Sequence, residues 1–186
     1  MRYAMMQSSE SQLIATNSLE ALILDPLPPD TRVRLLRFPL GIQDSALLPL
    51  EQIAEIIQID VTEILPIPDM PDCIIGICNW RGEMLWLLDF NKFVGYPSLL
   101  QLQPISTAIT IIVVQINHQS LGLAVQQVND IELHDLEQLQ VVPFGLFPAD
   151  LIPLIQGILP GCNDAVLDLQ AIIHCPLWKN HQEREP

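Results

Sequence analysis

Short apolar runs, each bounded by turn-forming residues, recur from residue 33 to residue 169 of this chain. Proline, glycine and asparagine interrupt them every ~8–12 residues, which is the spacing expected for short strands. The chain shows no alternation of a strand, a long helix and a second strand, although a parallel sheet needs such crossovers. The pattern therefore predicts an all-β fold of small barrels with, at most, short helices.

Eight of these runs are predicted as strands, in four consecutive pairs: Val33–Leu40 and 45–50, Ile74–Trp80 and 84–89, Ala108–Ile116 and 120–128, 155–159 and 165–169. In each of the last three pairs, the segment between the two runs contains a residue that favours a tight turn: Gly82, Asn117 and Gly161, respectively. Short helical turns are expected at 91–94 and 169–174. The run 50–57 is ambiguous: its apolar positions 50, 53, 56 and 57 have helical spacing, but its isoleucines equally suit a strand.

The second half of the chain echoes the first. Gly76-Ile77 leads to Leu87-Leu88-Asp89, and Gly157-Ile158 leads to Val166-Leu167-Asp168, each after a proline-rich stretch. Two related all-β lobes would produce such an echo. We expect an N-terminal extension at 1–34, partly disordered, a folded domain at 35–178 with subdomains of roughly 35–97 and 105–178 that can exchange strands, and a C-terminal tail at 179–186. An apolar docking peptide around Leu19, Leu22 and Ile23 is the alternative for part of the extension.

Charge excludes several classes of partner. Between residues 38 and 178 the basic residues are Arg81 and Lys92, against sixteen acidic ones, which gives 2 − 16 = −14. Such a surface cannot neutralise the phosphates of a nucleic acid or of an anionic membrane. The four cysteines are too few for a disulfide scaffold, and the apolar runs are too short to span a bilayer. We expect a cytoplasmic protein that does not insert into the membrane.

The sequence holds none of the short motifs that mark nucleotide-binding loops, zinc proteases or serine hydrolases. Cys73 and Cys78 are spaced C-x4-C, whereas zinc ligands are usually paired more tightly. We therefore expect no metal, no cofactor and no catalysis, with Cys73, Cys78 and Cys162 as small buried residues. The alternative from another class is a small hydrolase or thiol enzyme that uses Cys175 or Cys162 with His174.

Arg81 lies in the predicted turn between two strands and is almost alone as a cation. Trp80 and Trp86 lie near it, and an arginine among aromatic residues is typical of the energetic centre of a protein interface. We expect Arg81 to recognise a carboxylate or a backbone carbonyl on a partner. An internal salt bridge to Glu83 or Asp89 is the alternative.

The order of these segments resembles the CheW family of chemotaxis adaptors. The resemblance covers residues of about 35–175 and rests on Ile53-Ala54-Glu55-Ile56, Leu65-Pro66-Ile67-Pro68, Gly76-Ile77-Cys78-Asn79-Trp80-Arg81-Gly82, Leu87-Leu88-Asp89 and Leu121-Gly122-Leu123-Ala124-Val125. It implies two SH3-like five-stranded β-barrel subdomains and a non-catalytic scaffold. Such a scaffold couples a chemoreceptor-type protein, methyl-accepting or photoreceptor, to a CheA-like histidine kinase.

The resemblance also implies partners and site residues. The partners are the regulatory domain of the kinase and the cytoplasmic tip of the receptor, with self-association through barrel contacts, in chemotaxis, phototaxis or type IV pilus-based motility. The implied protein-binding residues are Arg81, Glu55, Ile53, Ile56, Gly76, Asn79, Trp80 and Gly82. Trp80 stands where the family usually has leucine, and Gln126 where it commonly has aspartate. We expect these departures to affect which receptor the protein binds more than they affect its fold.

Overall fold

Two five-stranded sheets make up most of the computed structural model, which describes residues 30–102 and 108–175. The strands are β1 (Val33–Leu40), β2 (Asp44–Pro49), β3 (Ile53–Asp60), β4 (Ile74–Trp80), β5 (Glu83–Asp89), β6 (Ala108–Ile116), β7 (Gln119–Val125), β8 (Ile131–His134), β9 (Ile155–Ile158) and β10 (Ala165–Leu167). The helices are α1 (Phe90–Phe93), α2 (Leu99–Leu102) and α3 (Leu169–Ile173), with 3-10 turns at Leu50–Gln52, Val61–Glu63, Leu136–Gln138 and Ile152–Leu154. None of the helices in these two ranges is long and apolar enough to cross a membrane.

The two sheets have the same design. Sheet A has the order β8-β1-β2-β10-β9, and sheet B has the order β3-β6-β7-β5-β4. In both, the third and fourth strands are parallel and the other neighbours are antiparallel. The prediction of an all-β fold with two five-stranded units and short helices is confirmed.

The sheets do not follow the two halves of the sequence. Sheet B takes the central strands β3 to β7, whereas sheet A combines the first two strands with the last three. The predicted subdomains 35–97 and 105–178 therefore each contribute strands to both sheets. The cause is the parallel pairing of β2 with β10, a long-range contact that hydrophobic periodicity does not encode. Within the predicted extension and tail, residues 1–29 and 176–186 lie outside the described residues, and so does the suggested docking peptide.

Both faces of each sheet are apolar. Ile109, Ile111 and Val113 of β6 belong to an apolar cluster made mainly by the strands of sheet B, which we call the interior of sheet B. Ile112 and Val114 instead join a core that residues of both sheets share. Strands β1 and β2 repeat this division between the interior of sheet A and the same shared core. Burial on both faces explains why these strands are nearly continuous runs of isoleucine, valine and leucine.

Each sheet is extended at one edge by a single residue that pairs with the edge strand through backbone hydrogen bonds. Leu65 exchanges two backbone hydrogen bonds with Ile77 of β4, and Gln140 does so with Ile158 of β9. The residue before each strand partner is the glycine of the sequence echo. A Cβ atom on Gly76 would lie 2.3 Å from the carbonyl oxygen of Leu65, so only glycine permits this approach.

The ambiguous run 50–57 is mostly strand. A 3-10 turn occupies Leu50–Gln52, and β3 then pairs with β6. The helical reading is wrong because the isoleucines of β3 alternate along a pleated strand and do not form a helical stripe. The strand ends at Asp60, whose side chain accepts a hydrogen bond from the backbone N–H of Thr62 at 2.9 Å.

Candidate protein-binding surface

Arg81 and Gly82 are the two loop residues of the β4–β5 hairpin. Trp80 pairs with Glu83 across the hairpin, and the φ angles of Arg81 and Gly82 are +54° and +84°. Two positive φ angles are the signature of a type I′ turn, which matches the twist of the strands and favours Asn-Gly or Gly-Gly. The side-chain oxygen of Asn79 accepts a hydrogen bond from the backbone N–H of Gly82 at 3.1 Å and supports the turn. Arginine in this position costs about 1 kcal/mol relative to glycine.

The Arg81 side chain folds back over the end of sheet B. Its Nη2 atom lies 3.0 Å from Oε2 of Glu55, and its Cζ atom lies 5.0 Å from the centroid of the Trp80 ring. The side chain nevertheless remains 63% exposed. Contacts with a carboxylate and an aromatic face therefore orient the guanidinium without burying it.

The internal salt bridge of Arg81, which the sequence offered as an alternative with Glu83 or Asp89, forms with Glu55. Asp89 is buried, and its carboxylate accepts hydrogen bonds from Ser98 Oγ at 2.6 Å and from the backbone N–H of Leu99 at 3.0 Å. It also caps α1, as Asp168 caps α3. The internal salt bridge thus exists with a different carboxylate.

Trp80 links the two edge strands of sheet B. Its ring is buried in the interior of the sheet, and its indole Nε1 donates a hydrogen bond to Oε2 of Glu55 at 2.9 Å. Glu55 belongs to β3 and Trp80 to β4, which are the first and last strands of the sheet order. The hydrogen bond therefore helps the curled sheet to close.

The predicted site residues fall into three groups. Glu55, Asn79, Trp80, Arg81 and Gly82 come together at the hairpin. Ile56 points to the opposite face of β3, is 40% exposed and lies opposite Ile112, while Ile53 packs partly buried against the shared core. Gly76 is buried, so its effect on a partner would act through the path of β4.

Sequence reasoning missed Arg37. Its guanidinium binds both oxygens of Glu132, at 2.6 and 2.9 Å, and an oxygen of Asp164, at 2.5 Å. These partners are 95 and 127 residues away in the chain, so no local sequence pattern could predict them. One feature of the sequence could have indicated this contact. Arg37 lies on the same face of β1 as Val33 and Leu35, and that face points into the interior of sheet A.

The Arg37 pair is structural, in contrast to the Arg81 pair. The Arg37 side chain is only 18% exposed. Hydrogen bonds from Arg37 and, second, from His134 lower the pKa of Glu132 to about 2. Each sheet thus carries an arginine–carboxylate contact, and the one in sheet B faces solvent.

The cysteines of the described residues differ in their exposure to solvent, and Cys175 is partly buried. Cys73 and Cys78 are buried, as predicted, but Cys162 is exposed because it lies in the loop between β9 and β10. Partial desolvation, followed by a hydrogen bond with Asp164, raises the pKa of the Cys162 thiol. His174 places its Nδ1 atom 2.8 Å from the carbonyl oxygen of Gln170. A raised thiol pKa disfavours the thiolate that a nucleophilic cysteine needs.

Comparisons with known proteins agree with this architecture. Residues 34–175 match the family described as CheW-like domain. Among solved structures, the fold is similar to the crystal structure of the scaffolding protein TtCheW from Thermoanaerobacter tengcongensis, with a TM-score of 0.59 and 23% identity over 73% of this chain and 87% of that chain. No curated protein matches the chain significantly. Since the family match covers well over half of the 186 residues, the chain belongs to the CheW-like domain family.

Proposed function

We propose that this protein is a non-catalytic scaffold that couples a chemoreceptor-type protein to a CheA-like histidine kinase in a taxis or motility pathway. Membership of the CheW-like domain family supports the class of function. The observation that carries the choice of surface is Arg81: an exposed arginine in a turn position that favours asparagine or glycine. Residues kept in such conformations are frequently functional.

Stability does not explain Arg81. An exposed ion pair such as that with Glu55 contributes only about 0–1 kcal/mol, which is similar to the backbone cost of a positive φ angle. Arg37 shows the alternative design, a nearly enclosed arginine with three contacts to carboxylates. Little free energy is therefore lost when Arg81 leaves Glu55 for a carboxylate or backbone carbonyl of a partner.

The partner of the Arg81 hairpin is, in this proposal, the regulatory domain of the kinase. The receptor tip would contact the exposed side of β3 near Ile53 and Ile56, where the shared core reaches the surface. The protein would reside in the cytoplasm and reach receptor arrays through these partners. Self-association through barrel contacts would extend the assembly.

Isothermal titration calorimetry with the kinase regulatory domain tests the proposal. Arg81→Ala should weaken binding by about 30-fold, corresponding to ~2 kcal/mol for an interface arginine. Lys92→Ala is the matched control, because Lys92 is also exposed and its loss changes the net charge equally. The Lys92 variant should bind within about twofold of the unmodified protein. Unchanged affinity of a folded Arg81→Ala variant, or equal losses in both variants, would contradict the assignment.

A further inference from the structure

One of the two oxygens of the Glu55 carboxylate makes both of its interactions with Trp80 and Arg81. Trp80 Nε1 at 2.9 Å and Arg81 Nη2 at 3.0 Å both contact Oε2. Within residues 30–102 and 108–175, Oε1 has no hydrogen bond or ion pair of its own, and the Glu55 side chain is 37% exposed. A carboxylate oxygen at the surface is a strong acceptor, so Oε1 is available to a donor from outside.

The hydrogen bond that fixes this carboxylate comes from the indole of Trp80. The Trp80 ring packs with Cys78 and Leu85 in the interior of sheet B, and its N–H reaches Glu55. A leucine at this position would fill the interior but would have no N–H to donate. A charge-assisted hydrogen bond from a buried indole restrains the carboxylate far more than solvent contact does.

We propose that Trp80 is a positioning residue that holds the Glu55 carboxylate in a fixed orientation, with Oε2 toward the indole N–H and Oε1 toward a partner. The surface then offers a guanidinium and a carboxylate oxygen side by side. It fits a kinase regulatory domain that presents a carboxylate for Arg81 and, next to it, a lysine or arginine for Glu55. The sixteen acidic against two basic residues between 38 and 178 favour that partner cation. This inference rests on the proposed function and refines its partner.

The first test needs no partner. In a ¹H–¹⁵N spectrum, Trp80→Phe identifies the indole N–H signal of Trp80 by its disappearance. Glu55→Ala should shift that signal markedly and leave the indole signal of Trp86 in place. A Trp80 signal that does not respond to Glu55→Ala would overturn the inference, and the measurement does not depend on how well any variant binds.

The second test is a double-mutant cycle with the kinase regulatory domain. Trp80→Phe keeps an aromatic ring in the interior and removes the N–H, and it should weaken binding about three- to tenfold. In a Glu55→Ala background, the same substitution should weaken binding less than about twofold. A loss of equal size in both backgrounds would refute the positioning role.

The outcomes separate the two levels of the proposal. If Arg81→Ala leaves the affinity unchanged, the proposed function of the hairpin fails, whatever Trp80→Phe does. If Arg81→Ala weakens binding but Trp80→Phe acts independently of Glu55, the hairpin binds the kinase and Trp80 does not position Glu55.

Discussion

Glu132 is the carboxylate whose removal should expose the structural role of the Arg37 contacts most clearly. Its pKa is lowered from 4.5 to about 2, chiefly by Arg37. At about 1.36 kcal/mol per pKa unit, a shift of this size corresponds to an upper limit of about 3 kcal/mol. Since the side chain is 30% exposed, solvent screening reduces the expected value, and we expect Glu132→Gln to cost about 2 kcal/mol at neutral pH.

The sign of the pH dependence follows from the direction of the shift. A carboxyl group with a lowered pKa stabilises the folded state fully above its unfolded value of 4.5, and this stabilisation disappears as the pH falls toward 2. The free energy of unfolding of the unmodified protein should therefore fall through this window. The difference between it and Glu132→Gln should shrink to less than about half at pH 3.

Urea denaturation at pH 7 and pH 3, followed by circular dichroism, measures this difference. Glu137→Gln provides the control, because Glu137 is an exposed carboxylate close to Glu132 in the chain. The control should change the free energy of unfolding by less than about 0.5 kcal/mol at either pH. A Glu132→Gln effect below that size at pH 7, or one equal at both pH values, would refute the reasoning.

Two further substitutions test the backbone of sheet B. Gly76→Ala should destabilise the fold by about 3 kcal/mol or more in the same urea titration, because its Cβ atom would collide with the Leu65 carbonyl. Gly145→Ala is the control: its φ is also positive, at +80°, but open space surrounds it, so it should cost only about 1 kcal/mol. Arg81→Asn should keep or raise the thermal midpoint, because asparagine tolerates the turn and the ion pair with Glu55 contributes little; a fall of more than ~5 °C would show that Arg81 is needed for folding.

Local pattern located most of the strands but missed β8, because Ile131–His134 is a short segment in which two of the four residues are polar. Ile74–Trp80 and Ala108–Ile116 were predicted with the bounds that β4 and β6 have, because apolar runs end sharply at Gly82 and Asn117. The run 50–57 was left open because its four apolar positions have helical spacing while its isoleucines suit a strand, and the pairing of β3 with β6 settled it.

Contacts across the barrels were beyond sequence reasoning. The internal partners considered as the alternative for Arg81 were Glu83 and Asp89, its neighbours in the chain, but the curl of sheet B brings Glu55 of the opposite edge strand to it. Arg37 escaped notice for the same reason, since both of its carboxylates arrive from distant strands. Motif resemblance located the hairpin, and tertiary closure decided which side chains meet there.

Formation of a ternary complex tests the adaptor function most directly. An immobilised receptor cytoplasmic fragment is incubated with the kinase in the presence and absence of this protein, and the retained kinase is quantified. We predict that the kinase is retained when the protein is present and that Arg81→Ala reduces the retained amount by about tenfold or more. Equal retention of the kinase with and without the protein would contradict the proposal that it couples receptor to kinase.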